Sequence, residues 1–355
     1  MIMWLLAIVG IFACYFLSEK RKNPRKLFLI SAGIVMVLVF GSRYFINGFT
    51  DEISYNYLYQ GYRDLSFKEF SDLMWGERDF GFYLTYWAMS HLVPWAQFPI
   101  YFITALFVFV TFRFIYKNTS ASLVPVLLML AFGTFSFHMA AYRQCFAMCL
   151  CILAYEFAKK RGPRGFVPYA VLMFFAATMH ISSVIFIPVY FFIRIKRGGG
   201  GGILWILSLV ASALAAGGIM AFASDVLEDD DLLDRLKFST TGLVIQMLIM
   251  AVPFVLALLG LTRMGRLAGV QHALLILVSL GMLFLAFKYV YFAYERVSYY
   301  YSFFIIGAFS NAITGLNHKQ GEKNFVLPVQ IIVVLLLVVL TLWRIPGDFD
   351  FFFLR

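Results

Sequence analysis

Charge is scarce in this chain. Only 14% of its 355 residues are Asp, Glu, Lys or Arg, against roughly a quarter in an ordinary soluble domain. Hydrophobic residues reach 62% and mean hydropathy is +0.83, which excludes a water-soluble globular fold. Cysteine is scarce too. Cys145, Cys149 and Cys151 fall in one apolar run and Cys14 in another, so all four read as small packing residues and not as a disulfide framework or metal site. Three motifs are missing: His-Glu-x-x-His, Gly-x-Ser-x-Gly and Gly-x-x-x-x-Gly-Lys. Zinc protease, serine hydrolase and nucleotide-driven pump therefore lack their signatures. There is no internal repeat, and no low-complexity segment beyond glycines 198–202.

What is present is a series of apolar runs of roughly 17 to 25 residues, the length that crosses about 30 Å of hydrocarbon. They predict an all-α, polytopic integral membrane protein with about 10–13 transmembrane or re-entrant helices. Residues 1–355 then form a single transmembrane domain. The net charge of +10 does not point to nucleic acid, because the Lys and Arg lie mainly in short loops between runs. That is the positive-inside pattern. The excess is free to meet anionic lipid head groups or phosphates.

Loop charges then order the chain. The run 1–17 has no basic residue before it and Lys20, Arg21, Lys22, Arg25 and Lys26 after it. It is an uncleaved first span with its N-terminus outside. Span 27–46 leads outward. Residues 47–79 form an extracytoplasmic loop rich in acids and aromatics, with short interfacial helices expected. Residues 80–93 are too short for a span and should dip in or lie flat. Spans at 98–115, 120–137 and 141–158 follow, closed by the basic cluster 159–164. Residues 165–193 then read as a re-entrant or short helical hairpin, flanked by basic clusters and turning at His180. Its two arms reach only about 21 Å each. Further spans are expected at 203–223, 241–262, 267–287, 297–315 and 325–343, with an acidic outer loop between the first two.

This topology collects Arg43, Asp51, His138, Arg143, His180, Lys288, Glu295 and Arg296 near the outer face. Ionisable groups at membrane depth are costly and mark function by default. Three arginines round a wet pocket suit a diphosphate, because guanidinium binds phosphate oxygens in pairs. A neutral histidine suits proton abstraction from a hydroxyl. Plainer readings stand beside these. Arg43, Arg143 and Arg296 snorkel to an interface, or Arg296 pairs with Glu295. His180 packs or caps a helix. Asp51 and Glu77 are solvated loop charges. Lys288 is an interfacial anchor and His138 a loop residue. The tyrosines from Tyr289 to Tyr301 form an aromatic belt, or stack on sugars.

Several short pieces in sequence order carry a resemblance. They are Gly41-Ser-Arg43-Tyr, Gly48-Phe-Thr-Asp51 with Tyr55 and Tyr59, and Glu77-Arg-Asp-Phe-Gly81-Phe. Arg143-Gln144, His180-Ile-Ser-Ser with Ile-Pro188-Val-Tyr, and Arg296 ahead of Tyr299-Tyr300 complete the set. Over most of its length the chain resembles the EpsG family, within the Wzy-type polysaccharide polymerases. One departure is local: Phe49 and Thr50 separate Gly48 from Asp51, where the family usually places glycine directly before the aspartate.

The resemblance implies a GT-C-like polymerase bundle in the bacterial inner membrane. It implies a glycosyltransferase, independent of metal or other cofactor, acting at the outer face. Donor and acceptor would be oligosaccharide repeats on polyprenyl diphosphate. Arg143, Arg296 and Arg43 would hold the diphosphate. His180 would be the general base, with Asp51 or Glu295 as runner-up or orienting partner. Tyr55, Glu77 and Tyr299 would meet sugars. Membrane lipids are the surroundings, and there is room for a chain-length-regulating protein as partner. Two rivals remain. A flippase or transporter of lipid-linked sugars should show paired broken helices, and only one broken region is visible. A membrane acyltransferase should keep its histidine where a cytosolic donor reaches it.

Overall fold

The computed structural model describes residues 2–43, 50–131, 135, 140–194, 255, 268–286, 293–315, 332–336, 338 and 339. Every regular element among the described residues is a helix, as the apolar runs predict. The chain falls into two compact units, residues 1–187 with 327–355, and residues 188–326.

The first unit starts with α1 (Ile2–Glu19) and α2 (Pro24–Gly41), joined by a short basic turn. Pro24 opens α2 where its missing N–H has no intrahelical partner to lose. The segment expected to hold interfacial helices contains α3 (Thr50–Tyr62) and α4 (Phe67–Met74). A capping box starts α4: the Ser66 N–H donates to Glu69 at 2.9 Å and the Glu69 N–H donates to the Ser66 hydroxyl at 3.4 Å. Then come α5 (Phe80–Leu92), α6 (Phe98–Asn118), α7 (Leu123–Ala131), α8 (Tyr142–Ala158) and α9 (Pro163–Met179). α5 has 13 residues, about 20 Å, too short to cross a bilayer alone.

Packing neighbours run from α1 to α2, α6, α8, α9, α5 and α3. α2 and α6 are long and apolar enough to cross a membrane. Leu6, Val9, Ile34, Leu38, Phe109 and Phe174 are each more than half exposed. A soluble fold avoids such apolar exposure, and a bilayer-facing surface requires it. The predicted hairpin is broken at His180, whose backbone is extended (φ −160°, ψ 119°). A 3-10 helix, Ile181–Phe186, follows. The chain doubles back there: the Tyr169 hydroxyl donates to the Ile187 carbonyl at 3.0 Å.

The second unit holds α10 (Val189–Phe192), α11 (Ala268–Ala286), α12 (Ala293–Ser302) and α13 (Ile305–Gly315). The run predicted as one span, 297–315, is two helices. Hydropathy hides the break because Phe303 and Phe304, between them, are apolar and buried. Helix α11 is held to both parts. Gln271 donates to the Ala308 carbonyl at 2.8 Å, and Phe284 stacks on Tyr301 at 5.5 Å. Gly281 sits so close to α12 that a Cβ would lie 2.6 Å from the Ser302 nitrogen. Span 203–223, the acidic loop and all of 241–262 but Val255 lie outside the described residues, as does most of 325–343.

Gly281→Ala therefore forces α12 off α11 and should lower unfolding stability in detergent by about 1–3 kcal/mol. Gly269→Ala, which meets nothing within 4 Å, is the control and should not destabilise.

Candidate active site

Three helix ends converge in the first unit. α5 begins after Asp79, α8 begins beside Arg143, and α9 ends at His180. Neighbouring antiparallel helices such as α8 and α9 bring a start and an end to the same level. One carboxylate joins all three. Asp79 Oδ2 accepts from Arg143 Nη1 at 2.9 Å and lies 3.1 Å from His180 Nδ1. Asp79 Oδ1 accepts the Ile181 N–H at 3.2 Å, which anchors the start of the 3-10 helix. The Asp79 side chain is 6% exposed, His180 20% and Arg143 37%, so the cluster opens outward through its two basic members.

The carboxylate fixes the histidine tautomer. An ionised carboxylate only accepts hydrogen bonds, so Nδ1 carries a hydrogen, and in the neutral ring the lone pair is on Nε2. Burial pushes the Asp79 pKa up. The hydrogen bond and charge of His180, the Ile181 N–H and the Arg143 charge outweigh that, and the carboxyl lies below its ordinary value. A lowered carboxylate stabilises the fold above the ordinary carboxylate range near 4, and that contribution is lost as pH falls through the lowered value. Arg143 has further partners. Its Nη1 donates to the Tyr83 hydroxyl at 3.2 Å and its Nε to the Tyr55 hydroxyl at 3.4 Å. The guanidinium lies 6.0 Å from the Tyr83 ring centre.

A glycine makes the convergence possible. Gly81 in α5 faces Thr178 in α9, two residues from Asp79 and His180 respectively. A Cβ on Gly81 would overlap the Thr178 hydroxyl and lie 3.0 Å from its carbonyl oxygen.

Beneath this cluster is a buried one. Arg43 is 2% exposed and Glu52 1%. Arg43 Nε donates to Glu52 at 2.8 Å and its Nη2 forms an ion pair with the same oxygen. Its Nη1 donates to the Phe40 carbonyl at 2.6 Å and to the Thr104 hydroxyl at 3.2 Å. The Tyr142 hydroxyl donates to Glu52 at 2.6 Å. The Tyr142 ring stacks on Tyr55, 4.9 Å apart and 7° from parallel, and Tyr55 touches Arg143. The lower cluster thus underpins the upper one through two stacked tyrosines.

Of the residues singled out from sequence, His180 and Arg143 meet on Asp79. Arg43 lies in the buried cluster with its donors turned to Glu52, Phe40, Thr104 and Tyr142. Tyr55 is 7% exposed and Glu77 is exposed. Glu295, Arg296 and Tyr299 lie on α12 in the second unit, where the Tyr299 hydroxyl donates to Glu295 at 3.4 Å and Arg296 is exposed. Asp51 is in the first turn of α3, with its side chain outside the described residues; His138 and Lys288 also lie outside them. Sequence reasoning passed over Asp79 and Glu52. Both had a signal. Asp79 directly precedes a short apolar helix within Glu77–Phe82. Glu52 shares a helical face with Tyr55, Tyr59 and Tyr62. Among the described residues no three His, Cys, Asp or Glu side chains group as metal ligands would.

Apolar helices around a polar site of this make-up define a class: a helical membrane protein whose ionisable groups gather where helix ends meet. The comparisons narrow it. The EpsG family model matches residues 26–353, and the chain belongs to that family, a Wzy-type polymerase-like one. Membership supports a broadly polysaccharide-polymerase-like function. Comparison with curated proteins and with solved structures gave no match.

Glu52→Gln strands Arg43 as a buried, uncompensated charge and should cost about 3–5 kcal/mol of stability, read as a lower melting temperature in detergent. Arg43→Met combined with Glu52→Leu removes both charges and should recover most of that loss. Gly81→Ala should spare protein level in the membrane yet lower cellular polymer at least tenfold by parting Asp79 from His180, whereas Gly61→Ala, with nothing within 4 Å, should leave polymer unchanged.

Proposed function

We propose that the protein is a polysaccharide polymerase that joins oligosaccharide repeats carried on polyprenyl diphosphate at the outer face of the bacterial inner membrane. The observation that carries this reading is His180 and Arg143 sharing one Asp79 oxygen, at 3.1 and 2.9 Å. In this reading His180 is the base and Arg143 the phosphate-binding cation, and one buried carboxylate holds the two side by side.

The reaction needs both. His180 Nε2 removes the proton from the acceptor hydroxyl. The hydroxyl oxygen bonds to the anomeric carbon of the donor sugar, and the bond from that carbon to the diphosphate oxygen breaks. The diphosphate leaves with the electron pair, and Arg143 stabilises its growing charge. Asp79 keeps Nδ1 protonated, steadies the imidazolium and orients the ring, the role a third residue plays behind a histidine base in other enzymes. Arg43 has a supporting role in this reading, through Glu52, Tyr142 and Tyr55. The partly exposed Arg143 is the member of the cluster open to an incoming diphosphate. Family membership and the apolar helices support the membrane setting.

His180→Ala and Arg143→Ala should each abolish polymer in cells at normal protein level. Asp79→Asn, which keeps shape but not charge, should slow polymerisation about 10²–10⁴-fold. Long polymer in the His180 and Arg143 variants would sink the assignment. In a deletion strain, single lipid-linked repeats should accumulate outside; repeats trapped inside would mark a flippase instead.

A further inference from the structure

The groove between α2 and α6 has no part in the site above. Its volume is about 600 Å³, within the range of sites that hold a small molecule. Its walls are apolar. Ile30, Ile34 and Leu38 of α2 stand opposite Ala105, Val108 and Phe109 of α6. Gly33 lies in the floor, with Val108 and Phe112 3.4 and 3.5 Å from where a Cβ would be.

One end of the groove is basic. Lys26, Arg113 and Tyr116 line it. Neighbouring cations are already committed. Arg25 donates to the Ile115 carbonyl at 2.7 Å, and Lys159 pairs with Glu156 at 2.9 Å. Lys26 and Arg113 are exposed, and neither makes an ion pair or hydrogen bond among the described residues. From Lys26 to Leu38 the helix advances about 18 Å, close to one leaflet of a bilayer whose core is about 30 Å thick. The groove is thus one leaflet long, apolar along its length, and doubly cationic at its mouth.

We propose that this groove binds one anionic phospholipid, with an acyl chain along the α2–α6 wall and the phosphate between Lys26 and Arg113. Two uncommitted cations select a negative head group over a neutral one. The apolar length selects a lipid over free phosphate. Tyr116 supplies the amphipathic ring common at the head-group level. The basic end is also the end that the loop charges place at the cytoplasmic leaflet, which carries the anionic lipids. The proposal rests on α2 and α6 lying in a bilayer and is independent of the polymerase reading.

The test uses the full chain extracted from vesicles of equal parts phosphatidylglycerol and phosphatidylcholine, with bound lipid read by native mass spectrometry. Phosphatidylglycerol should be retained over phosphatidylcholine. Lys26→Ala with Arg113→Ala should weaken its binding roughly 30-fold, about 5-fold per cation. Ala105→Phe, which fills the groove and leaves its charges, should also remove it, provided the variant melts as the parent does. Lys20→Ala with Lys22→Ala, which alters basic residues away from the groove, should change nothing. Equal retention of the two lipids, or unchanged retention in the Lys26 and Arg113 double variant, overturns the proposal. Displacement by equimolar polyprenyl phosphate assigns the groove to the carrier lipid and overturns it as well. Disulfide-linked dimers of Ile34→Cys in the bilayer would make the groove a contact between copies, with the same consequence.

Discussion

A single buried carboxylate holds the site together. Asp79 receives a guanidinium, an imidazole and a backbone N–H on two oxygens. The guanidinium comes from the start of α8 and the other two from the end of α9 and the residue after it, so one side chain ties α5, α8 and α9 together. A buried charge is tolerated only when it is paired and hydrogen-bonded, so the Asp79 cluster stands or falls as a unit. The extended backbone at His180 depends on it too. Helix breaks at membrane depth leave N–H groups without partners, and Asp79 Oδ1 takes the Ile181 N–H just after the break.

The second dependence lies one layer down. Arg43 and Glu52 are both buried and paired, an arrangement that adds little net stability compared with apolar packing but is costly to break. Its value here is positional. It fixes Tyr142, Tyr142 fixes the Tyr55 ring, and Tyr55 meets Arg143. Arg43, expected from sequence near a diphosphate or at an interface, directs its donors to Glu52, Phe40, Thr104 and Tyr142.

Much of this was legible in the sequence, for identifiable reasons. Apolar run length gives the helices α1, α2, α6, α8, α9 and α11, because crossing hydrocarbon demands both length and hydrophobicity. His180 and Arg143 stood out because charge in an apolar run is conspicuous. Asp79 did not, because it sits in a segment where acids are ordinary, and only the fold shows that it turns inward. Glu52 was hidden beside Asp51: adjacent residues on a helix point about 100° apart, so one can be buried while attention falls on its neighbour. The break at Phe303 and Phe304 was invisible for the opposite reason, since two buried aromatics look like more of the same span.

The close approach of Gly81 to Thr178 has a consequence for how such chains vary. The gap between α5 and α9 admits a fixed volume at that level, shared by one residue from each helix. Any chain that keeps this geometry and enlarges the first must shrink the second. Across relatives the two positions should therefore change together, although they lie far apart in the sequence. A paired substitution of that kind would record the spacing of α5 and α9 beside the site without any substrate being present.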